Sequence, residues 1–197
     1  MGRVARFSEP GLAYHITQRG NYRQNIFEDE DDKRIYMEYF EDYCLEFGLK
    51  VYAWCLMSNH VHFVVEPIKD DSLSNVFKLT HMRYSHYFNK KMGAKGHLWQ
   101  GRFYSCPLDG DHLYEAIRYV ELNPLRAKMV RLVNEYYWSS SWDRLRSDQN
   151  FKLDDFSEHL IIKESWNDYL QGELDQEIIG EIRKHTVSGK SLVLSDL

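Results

Sequence analysis

Cysteine is scarce: Cys44, Cys55 and Cys106 are odd in number and form neither a CxxC pair nor a Cys/His cluster. That excludes a disulfide framework and a structural zinc site, and the three read as reduced thiols of a cytoplasmic protein. Long apolar runs are missing too. Nothing approaches the roughly 18 uninterrupted apolar residues of a membrane span, and the amino terminus carries arginines without an apolar signal core, so neither membrane insertion nor export is expected. Only four prolines occur, Pro10, Pro67, Pro107 and Pro124, and each falls where a helix or strand is expected to stop. The absence with most consequence is local. From Ser72 to Leu108 there is no Asp or Glu, although the net charge is −5.

That acid-free stretch holds Lys78, Arg83, Lys90, Lys91, Lys95 and Arg102, interleaved with Phe77, Tyr84, Tyr87, Phe88, Trp99, Phe103 and Tyr104. Cations beside aromatics suit phosphate contact and base stacking, although a basic helix face is often only a solvated one. The acidic balance comes mostly from further on. Ten acidic residues between Asp148 and Glu181 face only Lys152 and Lys163.

Hydrophobic periodicity gives the order β-α-β-β-α-β-α. Leu12 to Thr17 reads as a strand closed by Gly20-Asn21, with His15 as a structural residue of that strand. Acidic residues 28–32 open a helix on which Ile35, Tyr39, Phe40, Tyr43 and Phe47 recur at helical spacing, ended by Gly48. Leu49 to Met57 is apolar on both faces and is expected to be central in its sheet. Ser58-Asn59 turns it into an antiparallel strand from His60 to Glu66. A helix from Leu73 to Phe88, a Gly-punctuated loop, a short strand near Pro107 and a helix from Asp111 to Asn123 follow. The first six elements predict an α+β fold: a ferredoxin-like split β-α-β antiparallel sheet with helices on one face. Residues 1–135 are expected to form one domain, with its core at about 8–135. Residues 136–197 form a mostly helical acidic extension that includes Leu174, Ile178 and Ile182 at helical spacing.

Strand alternation puts His60 and His62 on one face and Val61, Phe63 and Val65 on the other. Two imidazoles at this spacing can be half of a metal site, or simply a structural pair. Val64 excludes a third alternate histidine, and Val64-Val65 excludes an Asp-His continuation of the motif. An amidohydrolase barrel needs about 250 residues. On the last helix Leu113, Ala116, Ile117 and Val120 share a face, and Tyr119 and Asn123 lie one turn apart on its flank. If that helix packs beside the histidine strand, Asn123 can offer a carbonyl oxygen to a metal and Tyr119 a hydroxyl nearby. Taken singly, such a Tyr is more often a rim residue and an Asn before Pro a helix stop.

Four blocks in order, Tyr14-His15-Ile16-Thr17-Gln18-Arg19-Gly20-Asn21, Met57-Ser58-Asn59-His60-Val61-His62, His97-Leu98-Trp99-Gln100-Gly101-Arg102-Phe103 and Tyr119-Val120-Glu121-Leu122-Asn123-Pro124-Leu125-Arg126-Ala127, resemble the single-tyrosine HUH transposases (insertion-sequence-200-like), most of all the REP-associated tyrosine transposases of bacteria. The resemblance spans about residues 8–135. Many members carry Pro where this chain has Ser58, which touches the turn and not the chemistry. It implies a metal site at His60, His62 and Asn123 for Mg²⁺ or Mn²⁺, and Tyr119 as nucleophile. The implied reaction is in-line attack on single-stranded DNA, giving a 5′-phosphotyrosine and a free 3′-OH that can be rejoined without ATP. It also implies a DNA substrate near a hairpin, a bacterial nucleoid setting and action as a monomer or homodimer. Arg3, Arg6, Arg19, Arg23, Lys78, Arg83, Lys90, Lys91 and Arg102 are the candidate phosphate contacts. Glu115 is a weak candidate base for the Tyr119 phenol, and Tyr114 is a rival nucleophile without an Asn at i+4. A noncatalytic nucleic-acid-binding module and a water-using metal phosphoesterase are the alternatives from other classes.

Overall fold

The computed structural model describes residues 8–146, 151–156, 165–171, 177, 179–182 and 184. Four strands, β1 (Ala13–Arg19), β2 (Leu49–Met57), β3 (His60–Pro67) and β4 (Tyr104–Leu108), form one sheet in the order β2-β3-β1-β4 with every pairing antiparallel. The two crossover helices, α1 (Glu30–Phe47) and α2 (Ser72–Met92), pack together on one face as the split β-α-β order requires. The seventh element, α3 (Gly110–Glu121), covers the opposite face. The sheet is therefore sandwiched, and its strands carry apolar residues on both sides.

Each helix starts where local chemistry dictates. Asp29 Oδ1 accepts from the Asp32 backbone N–H at 3.0 Å while the Asp32 carboxylate accepts from the Asp29 backbone N–H at 3.4 Å, so the start of α1 is capped reciprocally. Gly48 ends α1 at φ 72°, a left-handed position that a side chain would strain. Tyr36, Phe40, Phe63, Phe77 and Tyr84 then fill the space between α1, α2 and the sheet with almost no exposure. Burying each such ring contributes roughly 1.5–3 kcal/mol.

Strand β2 departs from expectation. It is an edge strand and not a central one, and a bulge between Val51 and Ala53 turns both Tyr52 and Ala53 toward α3. Its free edge is covered by chain that follows residue 135. Cys55 bridges to Ser139, Leu56 N–H donates to Trp138 O at 3.0 Å, and Asp154 N–H donates to Val51 O at 2.9 Å while Val51 N–H donates to the Asp154 carboxylate at 2.8 Å. An uncovered edge this apolar would be a template for pairing with another chain. The short helix α5 (Ser140–Leu145) belongs to this covering, and α6 (Trp166–Gln171) bonds to Glu115 and Glu121 of α3; both follow the single turn α4 (Asn123–Arg126).

Helix α3 also ends earlier than the expected Asn123. The proline nitrogen of Pro124 cannot donate, so α3 stops at Glu121 and α4 begins at Asn123. Cys44, Cys55 and Cys106 are buried free thiols, as the sequence suggests. Among the described residues no helix is long and apolar enough to cross a membrane. Arg3, Arg6, Leu174 and Ile178 lie outside the described residues, whereas Ile182 is buried against the α3 side of the sheet.

Candidate active site

The site is built where β3 begins. His60 and His62 project from one face with ring centroids 4.9 Å apart, the face that α3 covers. Asn59, in the turn, fixes the first ring. Its Nδ2 donates to Arg23 O at 3.2 Å, so its carbonyl Oδ1 faces His60 Nδ1 at 2.6 Å. An amide oxygen only accepts, hence Nδ1 carries the proton and Nε2 holds the lone pair. The second ring is fixed by β1. His15 Nε2 lies 3.1 Å from His62 Nδ1, and the two rings stack at 5.3 Å.

Burial keeps His15 and His60 neutral. Burial pushes His15 down to about 3, and burial together with the Arg19 charge pushes His60 down to about 4. A ring that stays uncharged near neutral pH keeps a lone pair for a metal.

Tyr119 reaches the same place from α3. Its ring stands edge-on to His62 at 5.7 Å and to His15 at 5.8 Å. The Arg126 guanidinium lies 5.1 Å from its centroid. One turn on, Asn123 Nδ2 donates to Tyr119 O at 2.9 Å, which caps the end of α3 and directs the amide's Oδ1 away from the helix. Tyr114 does not share this neighbourhood; it packs against Phe156, and burial pushes its phenol up to about 12. Glu115 accepts from Tyr169 Oη at 2.7 Å and lies 3.6 Å from Arg118, so its carboxylate is held by α6 and its own helix.

Sequence reasoning thus passes over three contributors. His15, a structural residue by its sequence context, is the partner of His62; Asn59 orients His60; Arg126 lies against Tyr119. The signals available were the parity of His15 within β1 and the position of Asn59 directly before the first histidine.

The candidate phosphate contacts divide into two groups. Arg19, Arg23 and Arg102 belong to segments at the His60 end of the sheet: Arg19 pairs with His60, Asn59 holds Arg23 O, and Gln18 Nε2 donates to Gly101 O at 2.9 Å. Lys78, Arg83, Lys90 and Lys91 lie on α2, behind the sheet. Arg83 stacks on Tyr39 at 3.9 Å and pairs with Asp42, while Lys91 binds Asp29 and Asp32 at 2.7 and 2.6 Å.

No three His, Cys, Asp or Glu side chains converge among the described residues into a closed metal cage. A set of His60, His62 and Asn123 is different in kind. Two imidazoles and one amide oxygen are donor types that would suit a divalent ion taking its remaining ligands from substrate and water.

The sequence profile of the IS200-like transposases matches residues 8–123. No curated protein matches the chain in sequence. Among solved structures, the REP-associated tyrosine transposase bound to a REP hairpin is 19% identical, with a TM-score of 0.58 over 83% of this chain and 100% of its own. A proposed transposase from Deinococcus radiodurans R1 is 18% identical, with a TM-score of 0.41 over 66% of this chain and 91% of its own. The first of these supports the fold alone; family membership rests on the profile, which spans β1 to the Asn123 turn, and on that ground the chain belongs to the IS200-like transposase family.

Proposed function

We propose that the protein is a metal-dependent endonuclease and strand transferase for single-stranded DNA beside hairpins, acting through a 5′-phosphotyrosine on Tyr119. The observation that carries this reading is the placement of Tyr119 edge-on to His62 and His15, one turn from Asn123. His60, His62 and Asn123 would hold Mg²⁺ or Mn²⁺, which when bound supplies Lewis-acid polarisation of the scissile phosphate. Asn59 keeps His60 in the tautomer a ligand needs, and His62 would match it when its Nδ1–H donates to His15 Nε2. The Tyr119 oxygen forms the new P–O bond, the 3′ oxygen of the preceding nucleotide leaves as the free 3′-OH, and the phenolic proton passes to a general base. The reverse attack by a 3′-OH rejoins DNA at no cost in ATP. Hairpin-associated DNA is the substrate class by likeness to the REP-hairpin-bound neighbour. Residues 1–135 form the catalytic domain in this reading, braced by 136–197.

The test is a denaturant-resistant protein–DNA adduct. Wild type mixed with end-labelled DNA hairpins bearing unpaired flanks and Mn²⁺ gives an adduct, and Tyr119→Phe gives none while still binding the DNA. Cleavage without adduct would place the protein among water-using phosphoesterases, and binding with neither would leave a noncatalytic module.

A further inference from the structure

The turn after β1 has a shape that ordinary residues avoid. Tyr22 and Arg23 are consecutive non-glycine residues at φ 50° and 62°, in the left-handed region. Such backbone persists only where its surroundings over-determine it. Here they do. Asn21 N–H and Gln24 Nε2 both donate to Leu98 O, Arg23 N–H donates to Gly20 O at 3.0 Å, and Asn59 Nδ2 holds Arg23 O. Gly20 is required underneath, because a Cβ there would sit 2.3 Å from Gln24 O.

What the strained turn achieves is to hold Tyr22 out in solvent, 94% exposed, above every other large apolar side chain described. A ring so exposed adds nothing to the core, so packing does not repay the strain. The exposed Arg23 stands beside it, and the turn is continuous with the candidate site: the same Asn59 amide that holds Arg23 O orients His60.

We infer that Tyr22 and Arg23 form a single-strand subsite, in which the Tyr22 ring stacks on an unpaired base next to the scissile phosphate and Arg23 meets the backbone phosphate of that nucleotide. The pairing of a free aromatic face with a cation is the chemistry that fits a nucleotide, base to ring and phosphate to guanidinium. A rigid turn is what a stacking platform needs, since a preordered ring loses little freedom on binding. The inference rests on the proposed DNA substrate.

Full-length protein in EDTA, titrated by fluorescence anisotropy with a hairpin bearing short unpaired arms and with the same hairpin lacking them, separates the outcomes. Tyr22→Ala weakens binding to the armed hairpin about tenfold, Tyr22→Phe retains it, and the armless hairpin is bound alike by all. Tyr22→Gly, which suits left-handed backbone, keeps the wild-type melting temperature yet binds as Tyr22→Ala does. With 2-aminopurine moved along the arm, emission is quenched at one position in wild type and Tyr22→Phe only. Unchanged affinity of Tyr22→Ala for the armed hairpin, or quenching that survives it, overturns the subsite even if the Tyr119 adduct forms normally. Tyr22-dependent quenching without any adduct in Mn²⁺ would overturn the phosphotyrosine chemistry and leave the subsite standing.

Discussion

His15 shows how much of a site resides in residues that touch no substrate. Its Nε2 meets His62 Nδ1, so a metal at His62 Nε2 requires His62 Nδ1–H to donate and His15 to accept. Removing that acceptor frees the His62 ring to rotate and lowers its basicity. His15→Ala is expected to weaken Mn²⁺ binding by about 10–100-fold with the secondary structure intact, measured by calorimetric titration and circular dichroism. At this scale the sequence is informative where a residue's orientation depends on its own element. Parity alone sets His60 beside His62, and helical spacing alone sets Tyr119 above Asn123. His15 was hidden because its contact with His62 is set by the β1–β3 register, in which Thr17 and not His15 lies directly across from His62.

At the scale of elements, the helix carrying Tyr119 is fixed by what comes after it. Glu121 is fully buried and accepts from Ser140 Oγ at 2.8 Å, Arg144 Nε at 3.1 Å and Trp166 Nε1 at 2.8 Å. Arg144 also donates to Tyr52 O, so one guanidinium joins α3, α5 and β2. Deleting the carboxylate leaves that largely buried cation without its counter-charge. Glu121→Ala is expected to destabilise the fold by about 3–5 kcal/mol in urea denaturation, whereas Glu38→Ala, which breaks the exposed pair with Arg34, costs under about 1 kcal/mol. Apolar periodicity could not foresee this clamp. A lone Glu between Val120 and Leu122 reads as a solvated residue unless its donors, 19 and more positions away, are already in place. The same blindness made β2 look central: its apolar outer edge is explained by Trp138, Ser139 and Asp154, which no pattern within the strand reveals.

For the molecule as a whole, buried histidines set the pH response. His15 and His81 are pushed by burial down to about 3, and His60 to about 4. Each is lowered from an ordinary value near 6.5, so the unfolded chain takes up protons in a range where the folded one does not. Stability from these rings is complete above about pH 6.5 and is lost as pH falls toward 4 and 3. Between pH 7 and pH 5 each ring is expected to withdraw roughly 2 kcal/mol, seen as a lower urea midpoint at pH 5 with an unchanged slope. His81→Phe should flatten that dependence without touching the β3 histidines.

The clamp on Glu121 also orders events in time. A chain emerges from the ribosome amino end first, at about 5–20 residues per second, and Ser140, Arg144 and Trp166 follow the Tyr119 helix. For some seconds of synthesis the sheet and both histidines exist while the Tyr119 helix lacks its fasteners. A nascent or prematurely terminated product would then carry the His60 and His62 strand without a firmly seated Tyr119, and any chemistry that needs the two together would begin only once the last brace arrives.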